Sequence, residues 1–156
     1  MTQRDPARIP ATSLIFGYGP MLPLVAAAIA AWWLPPPWPD LATDLAIIWA
    51  ASLLVFVGGV RRGFGFGMPG ASTRVATIAM LLYFVPGTVA LVLDAFGQIA
   101  AGLGFTITGF VLVGLLDPRA ARYGQAPAHF ARLRPPQMAL GACCLAALLA
   151  RLLAAG

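Results

Sequence analysis

The sequence predicts an all-α, polytopic membrane protein, a bundle of five transmembrane helices with its N-terminus inside and its C-terminus outside. Two observations carry the fold class. Hydrophobic residues make up 60% of the 156 positions and charged ones 10%, with a mean hydropathy of +0.86, against about 25% charged residues in a typical soluble domain. The apolar residues also fall into five runs of about 20, the length a helix needs to cross a hydrocarbon core of about 30 Å with every backbone group paired internally. That composition excludes intrinsic disorder and a conventional soluble enzyme. The whole chain, 1–156, reads as a single integral membrane domain.

The first helix is expected over 13–34, without a charge. Gly17, Gly19, Pro20 and Pro23 crowd its first half and predict a kink, because proline removes ladder hydrogen bonds. Pro35, Pro36, Pro37 and Pro39 end it. A secretory signal is a weaker reading of this segment, since the apolar run is too long. The second helix is expected over 41–60, capped by Asp40 or Thr43. After it, Gly63, Gly65, Gly67, Pro69 and Gly70 read as a flexible connector. The third, over 75–93, contains Pro86-Gly87, a second candidate kink. A tight hairpin at Asp94 to Gly97 leads to the fourth, over 95–116, which Pro118 closes. Pro135 and Pro136 open the fifth, over 135–154, as first-turn prolines. The longest polar stretch, Asp117 to Arg134, is then a loop, in which Pro127 can start a short helix that dips Phe130 and Leu133 into the interface.

Charge placement sets the orientation. All ten basic residues are Arg and all five acidic ones Asp. Nine arginines fall on one side of an up-and-down arrangement, and only Arg151 on the other, with Asp40, Asp44 and Asp94. The positive-inside rule puts the arginine-rich side in the cytoplasm. Trp32, Trp33 and Trp38 cluster at the opposite boundary, where indoles favour the headgroup region. Anionic lipid is therefore a nearer partner than nucleic acid for the net charge of +5. Arg61, Arg62, Arg119, Arg122, Arg132 and Arg134 are the candidate contacts to lipid headgroups or partner proteins.

No catalytic, cofactor or metal set emerges. Cys143 and Cys144 are adjacent on one helix and read as small core residues. His129 is the lone histidine, expected at headgroup level beside Phe130, with no carboxylate cluster or metal-binding spacing around it. No charge falls near a helix centre. Asp44, Asp94, Asp117, Arg61 and Arg62 read as anchors of helix ends, so the machinery of an ion-coupled carrier is missing. Gly58 and Gly59 are candidate packing residues. Gly59 with Gly63, and Gly63 with Gly67, each match GxxxG, although connector flexibility explains those glycines equally well. Pro20, Pro23 and Pro86 are candidate kinks. Broken helices of that kind line transporter sites, but kinks that only improve packing are commoner.

Three stretches carry a family resemblance. They are Gly17-Tyr18-Gly19-Pro20-Met21-Leu22-Pro23, the run Val57-Gly58-Gly59-Val60-Arg61-Arg62-Gly63, and Asp117-Pro118-Arg119 with the later Ala126-Pro127-Ala128-His129-Phe130-Ala131-Arg132-Leu133-Arg134. Together these resemble the transmembrane protein 69-like family, a five-helix domain of unknown function in bacteria and mitochondria. Arg61-Arg62-Gly63 stands where the family has a basic or His residue followed by Trp-Gly, and His129-Phe130 where it has Trp-Tyr. The resemblance implies a bacterial inner-membrane protein and no known reaction. Two functions are expected to compete: a non-enzymatic accessory, assembly or structural subunit that contacts other membrane proteins or a second copy of itself, and a small transporter or channel built on kinked helices one and three.

Overall fold

The computed structural model describes residues 9–67 and 73–155. Among them every regular element is helical: α1 (Ala11–Tyr18), a 3-10 turn (Gly19–Met21), α2 (Leu22–Trp33), α3 (Trp38–Gly67), α4 (Thr73–Ala95), α5 (Ile99–Arg122) and α6 (Phe130–Ala155). Five helical stretches are long and apolar enough to cross a membrane, the first formed by α1, the 3-10 turn and α2 together.

Short connections make successive stretches antiparallel neighbours, and the ring closes where α2 packs on α6 as well as on α3. With an odd number of stretches, that closing pair runs parallel. Inside lies a core of small and branched side chains, including Leu24, Ile47, Leu54, Leu103, Phe110 and Leu145. Glycine sets the spacing at two points of the α3–α4 crossing. A Cβ on Gly87 would lie 2.8 Å from the Ala51 carbonyl oxygen, and one on Gly58 would lie 3.2 Å from that of Met80, so α3 and α4 touch backbone to backbone. Beyond Gly59 and Gly63 there is open space, so neither forms a packing contact with the described residues.

Several expected boundaries move. The helix expected over 41–60 runs to Gly67, taking in Arg61, Arg62 and the glycines read as a connector. Gly65 packs against Ala76 of α4, which makes helix the better-packed state there. Pro69 and Gly70 lie outside the described residues. The fourth helix begins at Ile99 and does not stop at Pro118 but continues to Arg122. Pro118 has no N–H to give to the ladder, yet it lies inside the helix and does not end it. Pro135 and Pro136 sit inside α6, which starts at Phe130. Its first turn is secured by Phe130 N–H to the Pro127 carbonyl at 2.9 Å, so the expected separate short helix is the opening of the last one. Only about seven residues, 123–129, remain of the long polar loop.

Both turns of α4 and α5 end in a left-handed glycine, Gly97 at φ 70° and Gly124 at φ 69°. Gln98 N–H reaches the Leu93 carbonyl at 2.8 Å and Gln125 N–H reaches that of Ala120 at 2.8 Å, the paired bonds of a Schellman cap. The second cap matters for the site, because it presents the Gln125 carbonyl back toward α3.

The kinks expected at Pro20 and Pro86 take different forms. At Pro20 the α-helix gives way to the 3-10 turn. The Pro20 carbonyl accepts from Trp49 Nε1 at 2.8 Å, and the Gly17 carbonyl accepts from Gln137 Nε2 at 2.7 Å. Pro86 lies buried within a continuous α4. It adjoins the close approach at Gly87.

Candidate functional site

The 3-4 spacing of inward residues continues on four helices to a polar side chain. On α5 it runs Leu103, Thr106, Phe110, Val113 and reaches Asp117; on α3 it runs Ile47, Ala50, Leu54, Val57 and reaches Arg61. On α6 it runs back from Leu148 and Leu145 through Gly141 and Met138 to Arg134. On α4 the same face carries Tyr83. These four groups meet inside the arginine-rich end of the bundle.

Asp117 is the centre, 1% exposed. The Tyr83 hydroxyl donates to its Oδ1 at 2.8 Å. Arg134 Nε lies 3.3 Å from Oδ2, and Arg61 Nε lies 3.7 Å from Oδ1. Neither Nε has hydrogen-bond geometry, so both arginines hold the carboxylate by charge. Their other atoms reach outward. Arg61 Nη1 donates to the Gln125 carbonyl at 2.7 Å, and Arg134 Nη1 donates to Gln137 Oε1 at 3.0 Å. Gln137 in turn donates to the Gly17 carbonyl of α1. One connected polar cluster therefore touches all five apolar stretches. A buried carboxylate is costly unless paired, and here two guanidiniums and a phenol compensate it.

Aromatic and small side chains close this end. Arg134 lies over the Phe130 ring at 4.5 Å. Phe130 packs edge-on against Phe64 and His129, beside Ala120, Ala121 and Ala126. His129 Nε2 is 3.3 Å from Ser13 Oγ of α1. Burial, with the Arg134 charge second, pushes the His129 imidazole below its ordinary range. Leu133 is buried against Gly17, so it does not dip outward as expected.

The six candidate arginines therefore divide. Arg61 and Arg134 are buried members of the cluster, which corrects their expected place at an exposed surface. Their stripes end inside the bundle because the helices continue past the apolar runs. Arg62 lies over the Phe66 ring at 4.0 Å. Arg119, Arg122 and Arg132 are exposed. Asp117, read as an end anchor, proves to be the hub. Tyr83 and Gln137 carried no role in the sequence reading.

A cavity of about 70 Å3 adjoins the cluster, lined by apolar residues such as Phe16, Leu54 and Phe110 together with Arg134 and Gln137. It has room for about two waters at about 30 Å3 each. Among the described residues no three His, Cys or Asp side chains come together as a metal site would need. Cys143 is exposed and Cys144 buried, both as free thiols. No protein-family model, curated protein or solved structure matches the chain.

Proposed function

We propose that this chain is a non-enzymatic, multi-pass protein of a bacterial inner membrane that works as an accessory or structural subunit, by contact with other membrane proteins or a second copy of itself. The observation that carries this reading is the Asp117 hub. Polar side chains that a carrier would spend on a substrate path are instead engaged with one another, across all five apolar stretches. Such a brace favours one fixed outer shape. Contact between proteins needs a fixed shape, whereas alternating access needs elements that move against each other. The reading places the N-terminus and the arginine-rich end in the cytoplasm, and includes membership of the transmembrane protein 69-like family.

Native electrophoresis in several mild detergents tests it. The expected result is a recurrent band above monomer size, with a constant set of co-purifying subunits or a second copy. A monomer band in every detergent would overturn it. A small transporter is the second reading, favoured by the break at Gly19–Met21 beside the cavity. To separate the two, Met138→Cys is made in a Cys143→Ala/Cys144→Ala background and treated with a membrane-impermeant thiol reagent. Protection supports the brace, and rapid labelling supports a water-filled path.

A further inference from the structure

A second cavity, of about 310 Å3, lies on the outer side of the cluster between α4 and α5. Ile78, Ala79 and Leu82 form one apolar wall, Leu116 and Ala120 the other. Arg61, Arg119 and Tyr123 also line it. Arg61 belongs to the buried hub, while Arg119 and Tyr123 are exposed. The groove thus has an apolar body and a cationic end.

The charges at that end do not balance. Arg61 and Arg134 bring two positive charges to the single carboxylate of Asp117. Tyr83 and the Gln125 carbonyl contribute only dipoles. One positive charge is left inside the bundle. Arg119 adds another charge at the rim. An anion placed here gains from both arginines at once, and planar guanidinium donors match phosphate oxygens well. The volume falls at the lower end of the range for ligand sites and suits one chain better than a whole lipid.

We infer that the groove between α4 and α5 is a binding site for an anionic phospholipid, with one acyl chain between the apolar walls and the phosphate against Arg119 and Arg61. This rests on the reading of the helices as membrane-embedded. Ordinary zwitterionic lipid can cover the apolar walls equally well, so the site is defined by its preference for a net negative headgroup.

Native mass spectrometry of the full chain in micelles doped with phosphatidylglycerol or phosphatidylcholine tests the site. Three variants accompany the wild type: Arg119→Gln, which removes the rim charge; Ile78→Trp, which fills the groove and keeps every charge; and Arg151→Gln, near the end of α6 at the opposite end of the bundle. Phosphatidylglycerol adducts are expected to exceed those of phosphatidylcholine. They should fall about fivefold in Arg119→Gln, the effect of one arginine near an anionic surface, fall similarly in Ile78→Trp, and stay unchanged in Arg151→Gln. Equal retention of the two lipids by the wild type would overturn the site, and so would a preference that survives both groove variants. Glycerol phosphate competing as well as the whole lipid would also overturn it, since no chain would then be needed. Flotation of the protein with liposomes reports membrane insertion separately, so failure of that reading is told apart from failure of the groove.

Discussion

The Tyr83 hydroxyl donates to Asp117 Oδ1 across 2.8 Å, and so a side chain from the middle of α4 meets the last turns of α5. Without Asp117, Arg61 and Arg134 would be two buried positive charges facing each other. Without Tyr83, Asp117 keeps both arginines and loses one hydrogen bond.

That difference predicts a ranking. Asp117→Asn should cost about 3–5 kcal/mol of stability, the usual penalty for removing one partner of a buried ion pair. Tyr83→Phe should cost about 1.5–3 kcal/mol, the range for a hydrogen bond to a charged group. Unfolding in mixed micelles, followed by circular dichroism, measures both. A Tyr83→Phe loss equal to or above that of Asp117→Asn would show that the carboxylate is not the hub.

The hub was written in the sequence in a form that composition does not reveal. Counting charges inside each apolar run puts Asp117 and Arg61 at the ends and leaves Arg134 in a loop. Following the 3-4 stripe puts all three inside: Val113 leads to Asp117, Val57 to Arg61, and Met138 back to Arg134. Hydropathy finds where a helix is apolar, whereas the stripe finds which way it faces. The extended boundaries of α3, α5 and α6 have the same origin, because polar residues shielded by neighbours need not end a helix. Pairing of particular residues, such as Gln137 with the Gly17 carbonyl, depends on which helices become neighbours and was not legible.

Glycines at the α3–α4 crossing should separate sharply from those facing outward. A Cβ on Gly87 would press on a backbone carbonyl that cannot rotate away. Gly87→Ala is expected to cost about 1–3 kcal/mol, as overpacked sites do. Gly59→Ala adds its methyl to open space, and should gain up to about 1 kcal/mol from helix propensity. The same unfolding assay checks both, and a destabilising Gly59→Ala would show that this face is covered within the chain.

His129 gives the fold a pH dependence with a definite sign. Its imidazole is held below the ordinary value of 6.5 by burial and by Arg134. Above 6.5 the ring is neutral whether folded or unfolded, and the contribution to stability is fully present. As pH falls below 6.5, the unfolded chain takes up the proton first, so stability is lost progressively down through the folded value. Stability measured from pH 7.5 to 5 should therefore decline, and His129→Gln should flatten that part of the profile. An imidazole that titrates above 6.5 by NMR would contradict the sign.

The orientation proposed from the arginines predicts opposite signals from two fusions. A reporter placed after Gly156 should behave as extracytoplasmic, and one inserted near Gly67 as cytoplasmic. Reversal at both sites would invert the bundle and move the hub to the outer leaflet. Agreement between the two sites would break the up-and-down order.

The last prediction concerns the break in the first apolar stretch. Pro20 and Pro23 have no N–H to give to the helical ladder, so carbonyl oxygens in that region need donors from elsewhere. Two side chains supply them: Gln137 to Gly17 at 2.7 Å from α6, and Trp49 to Pro20 at 2.8 Å from α3. Gln137 is buried and also accepts from Arg134, so Gln137→Leu removes a donor and an acceptor together. It is expected to cost about 1–3 kcal/mol for the unsatisfied group. Trp49 is 40% exposed, and Trp49→Phe should cost less, since other donors can reach an exposed carbonyl. Hydrogen exchange localises the effect. Amides of Tyr18, Gly19, Met21, Leu22 and Leu24 should exchange faster in Gln137→Leu, while those of the α3–α4 crossing keep their protection. Unchanged exchange across the break would mean that the 3-10 turn holds without its side-chain donors. The polar cluster would then end at Arg134, without reaching α1 through Gln137.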